Sequence, residues 1–323
     1  MRRFIAFSLA IAAIFASGAS ASANKTDAAS VDVKIDYGGR LIVPVSLNGD
    51  GDHDFIVDTA ASKTVLFQNL ASRVSVTLED APDIAVLGLA GVRVWPPFQV
   101  GDLALAGIVL RDHIAPILPD WTDALRTPQG ILGLDFFDER VIFIDPEQKR
   151  LTVYAPNDKA LRKTLSNWSS ARLDRIDFGF SERPLFTVDV LFARKRLKML
   201  LDTGSDSTFI NFASLDYLDV VPRVPRRSRE TKLSDVHGDQ VAAYILHTPN
   251  LRVGNARWEG RSVLVSDAPV FDALGYSERP LGVLGLDFLL RQRFAIDFAN
   301  DRIWFDKKEN DLTFGDPDPN KKN

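Results

Sequence analysis

One short pattern occurs twice in this chain of 323 residues, and it limits the possible folds more than any other feature. The first copy is "FIVDTAASKTVL" at 55–66, and the second is "MLLDTGSDSTFI" at 199–210. In both copies an apolar, strand-like run ends in an aspartate, Asp58 or Asp202, which a threonine and two small residues follow. Aspartate is a poor strand residue and is costly to bury without a partner. Two matched copies therefore indicate a duplicated fold in which both aspartates have a purpose.

A second repeated element supports the duplication. "GILGLDFF" begins at Gly130 and "GVLGLDFL" begins at Gly282, and each is followed by a hairpin-like segment. Alternating apolar and β-branched residues dominate both copies, which predicts an all-β chain, with a short helix over 157–168 capped by Asn157. The predicted divisions are a signal peptide (1–23), an N-terminal half (30–155), a linker (156–174), a C-terminal half (175–308) and a polar tail (309–323).

Charge and composition exclude several kinds of function. The net charge is −4 and the sequence pI is about 5.7, so no strong basic field is available for nucleic acid. There is no cysteine, and the four histidines lack the spacing of metal ligands. We therefore expect no metal site and no cofactor. The histidines are His53, His113, His237 and His247.

The N-terminus has the three parts of a secretory signal peptide. Arg2 and Arg3 precede an apolar run of about 13 residues, and Ala-Ser-Ala at 21–23 is a candidate cleavage site. That run is too short to span a bilayer. Without cysteine the chain can carry neither a lipoprotein anchor nor a disulfide, which favours a periplasmic protein and leaves secretion open. We expect no stable membrane anchor.

The duplicated motifs resemble a known family. Asp-Thr-Gly-Ser at 202–205 is similar to the active-site turn of aspartic peptidases, and Val-Leu-Gly at 283–285 is similar to the element that supports that turn. The first half has Asp-Thr-Ala-Ala at 58–61 and Ile-Leu-Gly at 131–133. Together the two copies resemble a retropepsin-like bacterial aspartyl protease with two fused halves, over nearly the whole mature chain.

The resemblance implies a pseudo-twofold pair of retropepsin-like β-barrel halves around a cleft. It implies an aspartic endopeptidase in which Asp58 and Asp202 share one proton and activate a water, because two carboxylates so close cannot both ionise. The substrate is expected to be a peptide or protein and the chain a monomer with an internal pseudo-dimer. The expected turn residues are Thr59, Ala60, Thr203, Gly204 and Ser205, and the expected flap residues are Gly88, Gly91, His237 and Gly238.

The first copy departs from the family at Ala60, where glycine is usual. Alanine would cost about 1 kcal/mol if that position needs a positive φ, and little if the backbone is extended. The copies also differ at Ala61 and Ser205. A serine hydroxyl that donates to the adjacent carboxylate favours its charged form. The sequence therefore predicts that Asp202 ionises first and that Asp58 holds the proton.

Other interpretations of the sequence remain open. The two aspartates could be repeated turn residues, or the chain could be a catalytically weak or inactive periplasmic peptide-binding or scaffold protein with the same fold. Each half could also pair with its counterpart in a second chain. Asp135 and Asp287 are interpreted as helix N-caps or ion-pair partners.

Overall fold

The computed structural model describes most of the chain. The described residues are 5–7, 10–13, 28–36, 39–73, 76–78, 81–120, 128–137, 139–177, 183–192, 194–220, 230–235 and 237–309. The predicted cleavage site at 21–23 and residues 310–323 of the predicted tail lie outside them.

Strands account for most of the first half. Two short strands come before it, β1 (Ile5–Phe7) and β2 (Ala10–Ala13). The elements of the half are β3 (Ala29–Asp32), β4 (Lys34–Ile35), β5 (Leu41–Leu47), β6 (Asp50–Val57), β7 (Val65–Phe67), α1 (Gln68–Ala71), β8 (Val76–Thr77), β9 (Ile84–Gly88), β10 (Gly91–Trp95), β11 (Pro97–Leu105), β12 (Ile108–Leu118), β13 (Gly130–Leu132), α2 (Leu134–Phe137), β14 (Val141–Asp145) and β15 (Arg150–Tyr154).

The second half repeats this order after a connecting helix, α3 (Lys159–Leu165). Its elements are β16 (Ser169–Ile176), β17 (Leu185–Phe192), β18 (Lys195–Leu201), β19 (Phe209–Ile210), α4 (Phe212–Leu218), β20 (Glu230–Ser234), β21 (Gln240–Val253), β22 (Ala256–Val265), α5 (Pro269–Ala273), β23 (Gly282–Leu284), α6 (Leu286–Leu289), β24 (Gln292–Asp297) and β25 (Arg302–Glu309).

Helix α3 is capped by a different residue from the one predicted. The Asp158 carboxylate accepts a hydrogen bond from the Leu161 N–H at 2.8 Å. Asn157 has a left-handed backbone, with φ of 66°, and lies one residue before the cap. The cap prediction was therefore wrong by one position.

Strand pairing shows that the two halves have the same topology. In each half, the strand that leads to the aspartate runs parallel to the strand of the Leu-Gly element: β6 with β13, and β18 with β23. The next short strand pairs antiparallel with that element, β7 with β13 and β19 with β23. It also pairs in parallel with the long strand of a hairpin, β12 or β22. The predicted all-β pair of pseudo-symmetric halves is confirmed.

The strands β6 and β18 are apolar over the residues just before the aspartates, because both faces of the strand are buried there. Phe55, Ile56 and Val57 are at most 1% exposed, and Leu200 and Leu201 are completely buried. These runs bring each aspartate to the end of a rigid, well-packed strand.

A shared sheet joins the halves. The strand β14 of the first half pairs antiparallel with β24 of the second, and the order along this part of the sheet is β16-β25-β24-β14-β15-β3. Because six strands from both halves form one hydrogen-bonded layer, the halves are fixed relative to each other. Within the described part of the chain, no helix is long and apolar enough to cross a membrane.

Candidate active site

Each candidate aspartate lies where its strand ends beside the Leu-Gly element. The Asp58 N–H donates to the Leu132 carbonyl at 3.0 Å, and the Asp202 N–H donates to the Leu284 carbonyl at 3.1 Å. Both aspartates are almost completely buried, with exposed fractions of 1% and 0%. The predicted duplication thus gives two equivalent backbone settings for two buried carboxyl groups.

Two threonines join the turns through four hydrogen bonds. The Thr59 hydroxyl donates to the Leu201 carbonyl at 2.8 Å and accepts from the Thr203 N–H at 3.1 Å. The Thr203 hydroxyl donates to the Val57 carbonyl at 2.8 Å and accepts from the Thr59 N–H at 3.1 Å. Each hydroxyl therefore bonds to backbone groups of the other half. We call this reciprocal set of four hydrogen bonds the threonine exchange.

Removing one of these hydroxyls should cost stability. In Thr203→Val the side chain keeps its shape, but the Val57 carbonyl and the Thr59 N–H lose their partner. Since a buried group left unsatisfied costs about 1–3 kcal/mol, we expect the free energy of unfolding to fall by about 2–4 kcal/mol. Urea unfolding measures this.

Thr187→Val is the matched control, because the buried Thr187 hydroxyl makes one longer bond, 3.3 Å to the Asp174 carbonyl. An equal loss of stability in both variants would contradict a special role for the threonine exchange.

The backbone holds the two carboxyl groups in matching orientations. One oxygen of Asp58 accepts from the N–H groups of Ala60 and Ala61, at 2.8 and 3.0 Å. One oxygen of Asp202 accepts from the N–H groups of Gly204 and Ser205, also at 2.8 and 3.0 Å. The negative charge of Asp58 acts on Asp202, so the two carboxyl groups interact, and the second oxygen of Asp202 is buried without a hydrogen-bond partner among the described residues. Two carboxyl groups that interact so closely do not readily ionise together, so the pair can hold one proton.

Burial makes both groups weak acids. It raises the pKa of Asp58 to about 7, although the bonds from Ala60 and Ala61 and the contact with Asp202 act to lower it. Burial, together with the negative charge of Asp58, raises the pKa of Asp202 well above its ordinary value. Both carboxyl groups therefore favour the protonated form, and they titrate as a pair.

The structure removes the reason for which the sequence predicts the shared proton on Asp58. The prediction depended on a hydrogen bond from the Ser205 hydroxyl to its carboxylate. In the structure this hydroxyl donates to the Ser207 carbonyl at 2.8 Å. A hydroxyl has one hydrogen, so this bond uses it. Since the two carboxyl groups are coupled, their pKa values belong to the pair.

The raised pKa values predict how stability depends on pH. The unfolded chain releases the Asp58 proton near pH 3.8, whereas the folded chain keeps it until about pH 7. Between these values the folded state binds more protons, so stability falls as the pH rises. Relative to the double variant Asp58→Asn/Asp202→Asn, we expect the wild type to lose on the order of 2–4 kcal/mol over this range. Urea unfolding at several pH values measures this, and parallel curves for the two proteins would contradict it.

Ala60 fits its turn without backbone strain. Neither Ala60 nor Gly204 has a positive φ. Gly204 is required for another reason: a Cβ at this position would lie 2.3 Å from an oxygen of Asp58. The glycine thus allows one turn to approach the carboxyl group of the other.

The expected flap residues lie on two hairpins. Gly88 ends β9 and Gly91 begins β10, while His237 and Gly238 lie in the turn between β20 and β21. Gly91 and Gly238 have φ angles of 118° and 81°, which favour glycine. A Cβ on Gly88 would lie 2.4 Å from an oxygen of Asp235, so here glycine permits close contact between the hairpins.

The two hairpins also contact each other directly. The Ala90 N–H donates to the Asp235 carboxylate at 3.2 Å, and Arg93 forms an ion pair with Asp239 at 2.5 Å. The rings of Trp95 and His237 stack with their centroids 5.9 Å apart. These contacts hold the two candidate flaps together in a closed arrangement.

Sequence reasoning missed the residues that support the turns. The Thr64 hydroxyl accepts from the Gly133 N–H at 3.0 Å and donates to Asp135 at 2.7 Å. The Thr208 hydroxyl makes the same bonds in the second half, accepting from the Gly285 N–H at 2.9 Å and donating to Asp287 at 2.6 Å.

Asp135 and Asp287 are therefore not N-caps, because they lie inside the first turns of α2 and α6. Asp135 does have a partner of potentially opposite charge, His113, 3.8 Å away. The available signal was a threonine six positions after each catalytic aspartate candidate, in "DTAASKT" and "DTGSDST".

A family comparison agrees with this geometry. The aspartyl protease family model matches residues 43–136 and 188–288, which together contain both aspartate turns and both Leu-Gly elements. The chain therefore belongs to the aspartyl protease family, and the two matches correspond to two fused retropepsin-like halves. A search of curated protein sequences found no significant match.

Proposed function

We propose that this protein is an aspartic endopeptidase that hydrolyses peptide bonds with a water activated between Asp58 and Asp202. The observation that supports the proposal is that four threonine hydrogen bonds join the turns carrying two buried carboxyl groups, whose raised pKa values would allow them to share one proton. A fold that only duplicated a turn would have no need to bury two interacting acids.

The proposed chemistry follows from the two protonation states. The charged Asp58 acts as the general base and takes a proton from the water, whose oxygen attacks the scissile carbonyl carbon. The proton on Asp202 is donated to the carbonyl oxygen, and a tetrahedral diol forms. In the second step Asp58 gives its proton to the leaving nitrogen and Asp202 takes a proton from a hydroxyl of the diol. The C–N bond breaks, and the pair returns to its single-proton state.

The flap hairpins suggest how the substrate is bound. The apolar strand β2 pairs antiparallel with β9 of the first flap, and β1 pairs in parallel with β20 of the second. Strands β1 and β2 both lie within residues 1–23. Their pairing shows that the edges of both flaps can bind an extended segment through backbone hydrogen bonds, as binding of a peptide substrate would require. We propose that the substrate is an extended peptide or protein segment and that one chain forms the complete site.

Incubation of the purified mature chain with a diverse peptide library tests the proposal, with Asp202→Asn as the matched control. We expect cleavage products with the wild type and none with the variant. Peptide binding without cleavage by the wild type would contradict the proposal and support the peptide-binding or scaffold alternative.

We further propose that the chain is exported to the periplasm or secreted after loss of residues 1–23. The basic residues, the short apolar run and Ala-Ser-Ala at 21–23 support this. N-terminal sequencing of the exported protein should begin near Asn24. Recovery of the complete N-terminus in a membrane fraction would contradict it.

A further inference from the structure

A buried histidine lies behind the turn that carries Asp58. His113, on β12, is only 5% exposed. Its Nε2 atom is 2.9 Å from the Thr64 carbonyl oxygen, and its Nδ1 atom is 3.8 Å from an oxygen of Asp135. That oxygen of Asp135 is buried and has no hydrogen-bond partner.

The hydrogen-bond partners define the state of the neutral ring. A carbonyl oxygen can only accept, so Nε2 carries the hydrogen and donates it to Thr64. Nδ1 then carries a lone pair that faces a carboxylate oxygen, which also only accepts. No hydrogen is available between these two atoms, and their separation of 3.8 Å exceeds the usual length of a hydrogen bond.

The ring and the carboxylate hold the same segment from two sides. The other oxygen of Asp135 accepts from both the N–H and the hydroxyl of Thr64, at 2.8 and 2.7 Å. The Leu134 N–H donates to the Ala61 carbonyl at 2.8 Å, which ties the same loop to the turn that follows Asp58. A movement of Asp135 is therefore transmitted to the backbone that orients Asp58.

We infer that neutral His113 is a positioning residue for Asp58, acting through Thr64 and Asp135, and that a proton taken up at Nδ1 disturbs this support. The protonated ring donates from Nδ1 to the free oxygen of Asp135. Closing the gap to hydrogen-bonding distance requires a shift of about 0.6–1 Å. Since errors of about 1 Å in an active site can cost 10²-fold in rate, acidification should lower the rate through this pair. The inference rests on the proposed peptidase function.

The surroundings agree with a ring that is neutral at neutral pH. Burial lowers the pKa of His113, and the positive charge of Lys63 acts in the same direction. Asp135 and the Thr64 carbonyl oppose this change. These are the charged groups that influence the ring among the described residues. The pair is thus set to take up its proton on the acid side of neutrality.

Nuclear magnetic resonance of the full mature chain tests the inference without any measurement of activity. With ¹⁵N-labelled histidine, we expect the neutral Nε2–H form of His113 and protonation of Nδ1 as the pH falls. The amide signals of Thr64, Ala60 and Ala61 should shift with the same midpoint. A neutral ring that carries its hydrogen on Nδ1 would overturn the inference. So would amide chemical shifts that do not change as His113 titrates.

Two variants test whether Asp135 is the group that interacts with the His113 ring. Because the charge of Asp135 raises the pKa of His113, Asp135→Asn should move its titration to lower pH. Asp287→Asn, at the equivalent place in the second half, should leave that titration where it is. Equal titrations in the wild type and Asp135→Asn would also overturn the inference.

Kinetics supply the functional test. His113→Gln loses the neutral ring that supports Thr64 and Asp135, so its kcat should be about 10-fold lower than that of the wild type near neutrality, with KM within about twofold. Glutamine also cannot take up the proton. The wild-type pH profile of kcat should show a break in its acid limb where His113 takes up a proton, and this break should be absent in His113→Gln. His247→Gln, on an exposed part of β21, is the control and should behave as the wild type. A wild-type acid limb that persists unchanged in His113→Gln would contradict the inference.

If the wild type cleaves no peptide, the proposed function fails, and the resonance titrations alone decide the role of His113.

Discussion

Replacing either catalytic aspartate with asparagine should abolish peptide hydrolysis, with a loss of roughly 10⁴-fold in kcat. Asparagine keeps the shape of the side chain but can neither take a proton from water nor share one. The threonine exchange joins the turns that carry Asp58 and Asp202, and burial raises the pKa of both carboxyl groups. The proposed mechanism requires the two groups to share one proton. Either substitution alone therefore removes the water-activating unit.

The double variant should be little worse than either single variant, since residues that act as one unit are not additive. Rates of cleavage of one peptide by the four proteins measure this. Unfolding curves verify that each variant is folded, and we expect the variants to be at least as stable as the wild type at neutral pH. Near-wild-type turnover by either single variant would contradict a shared water and would favour two separate sites in a homodimer.

Adding one methyl group to the second turn should also lower the rate strongly. In Gly204→Ala the new Cβ would lie 2.3 Å from an oxygen of Asp58, within a turn that is completely buried. Either the carboxyl group or the turn must move. Because a displacement of about 1 Å can cost 10²-fold, we expect kcat to fall by about that factor.

Ala60→Gly is the matched substitution in the first turn. The backbone at Ala60 does not have a positive φ, so its methyl group causes no backbone strain there. Glycine should leave the rate unchanged or raise it, and should lower stability by about 0.5–1 kcal/mol through greater freedom of the unfolded chain. Steady-state kinetics and urea unfolding measure both effects. Equal losses of rate in Gly204→Ala and Ala60→Gly would contradict the account of the two turns.

Local sequence patterns predicted the features of this fold that depend on neighbouring residues. The runs before Asp58 and Asp202 are apolar on both faces, which is typical of buried parallel strands, and the structure has them in that form. The duplication predicted two related halves, and the resemblance to aspartic peptidases implied their pseudo-twofold arrangement.

Features that depend on distant contacts could not be predicted in this way. The bond between Thr64 and Asp135 spans 71 positions, and the bond between His113 and Thr64 spans 49. The Ala90 to Asp235 bond between the flaps spans 145 positions. Neither the strand register nor the approach of two hairpins can be derived from alternation within one segment.

Ser205 shows a different limit of the sequence. Its hydroxyl has two possible acceptors nearby, the Asp202 carboxylate and the Ser207 carbonyl, and the choice depends on a side-chain rotamer. The sequence specifies the hydroxyl but not its direction. The prediction that Asp58 holds the shared proton depended on a bond from this hydroxyl to Asp202, whereas in the structure the hydroxyl donates to the Ser207 carbonyl.

The pH dependence of kcat/KM for one cleaved peptide tests the central claim, that Asp58 and Asp202 act as one acid–base pair with a single shared proton. We expect activity to be lost on the acid side well above pH 3.8, because burial raises the pKa of both groups. We also expect an alkaline limb at which the last shared proton leaves. Activity that persists at high pH with no alkaline limb would show that two ionised carboxylates still work, and it would contradict the claim.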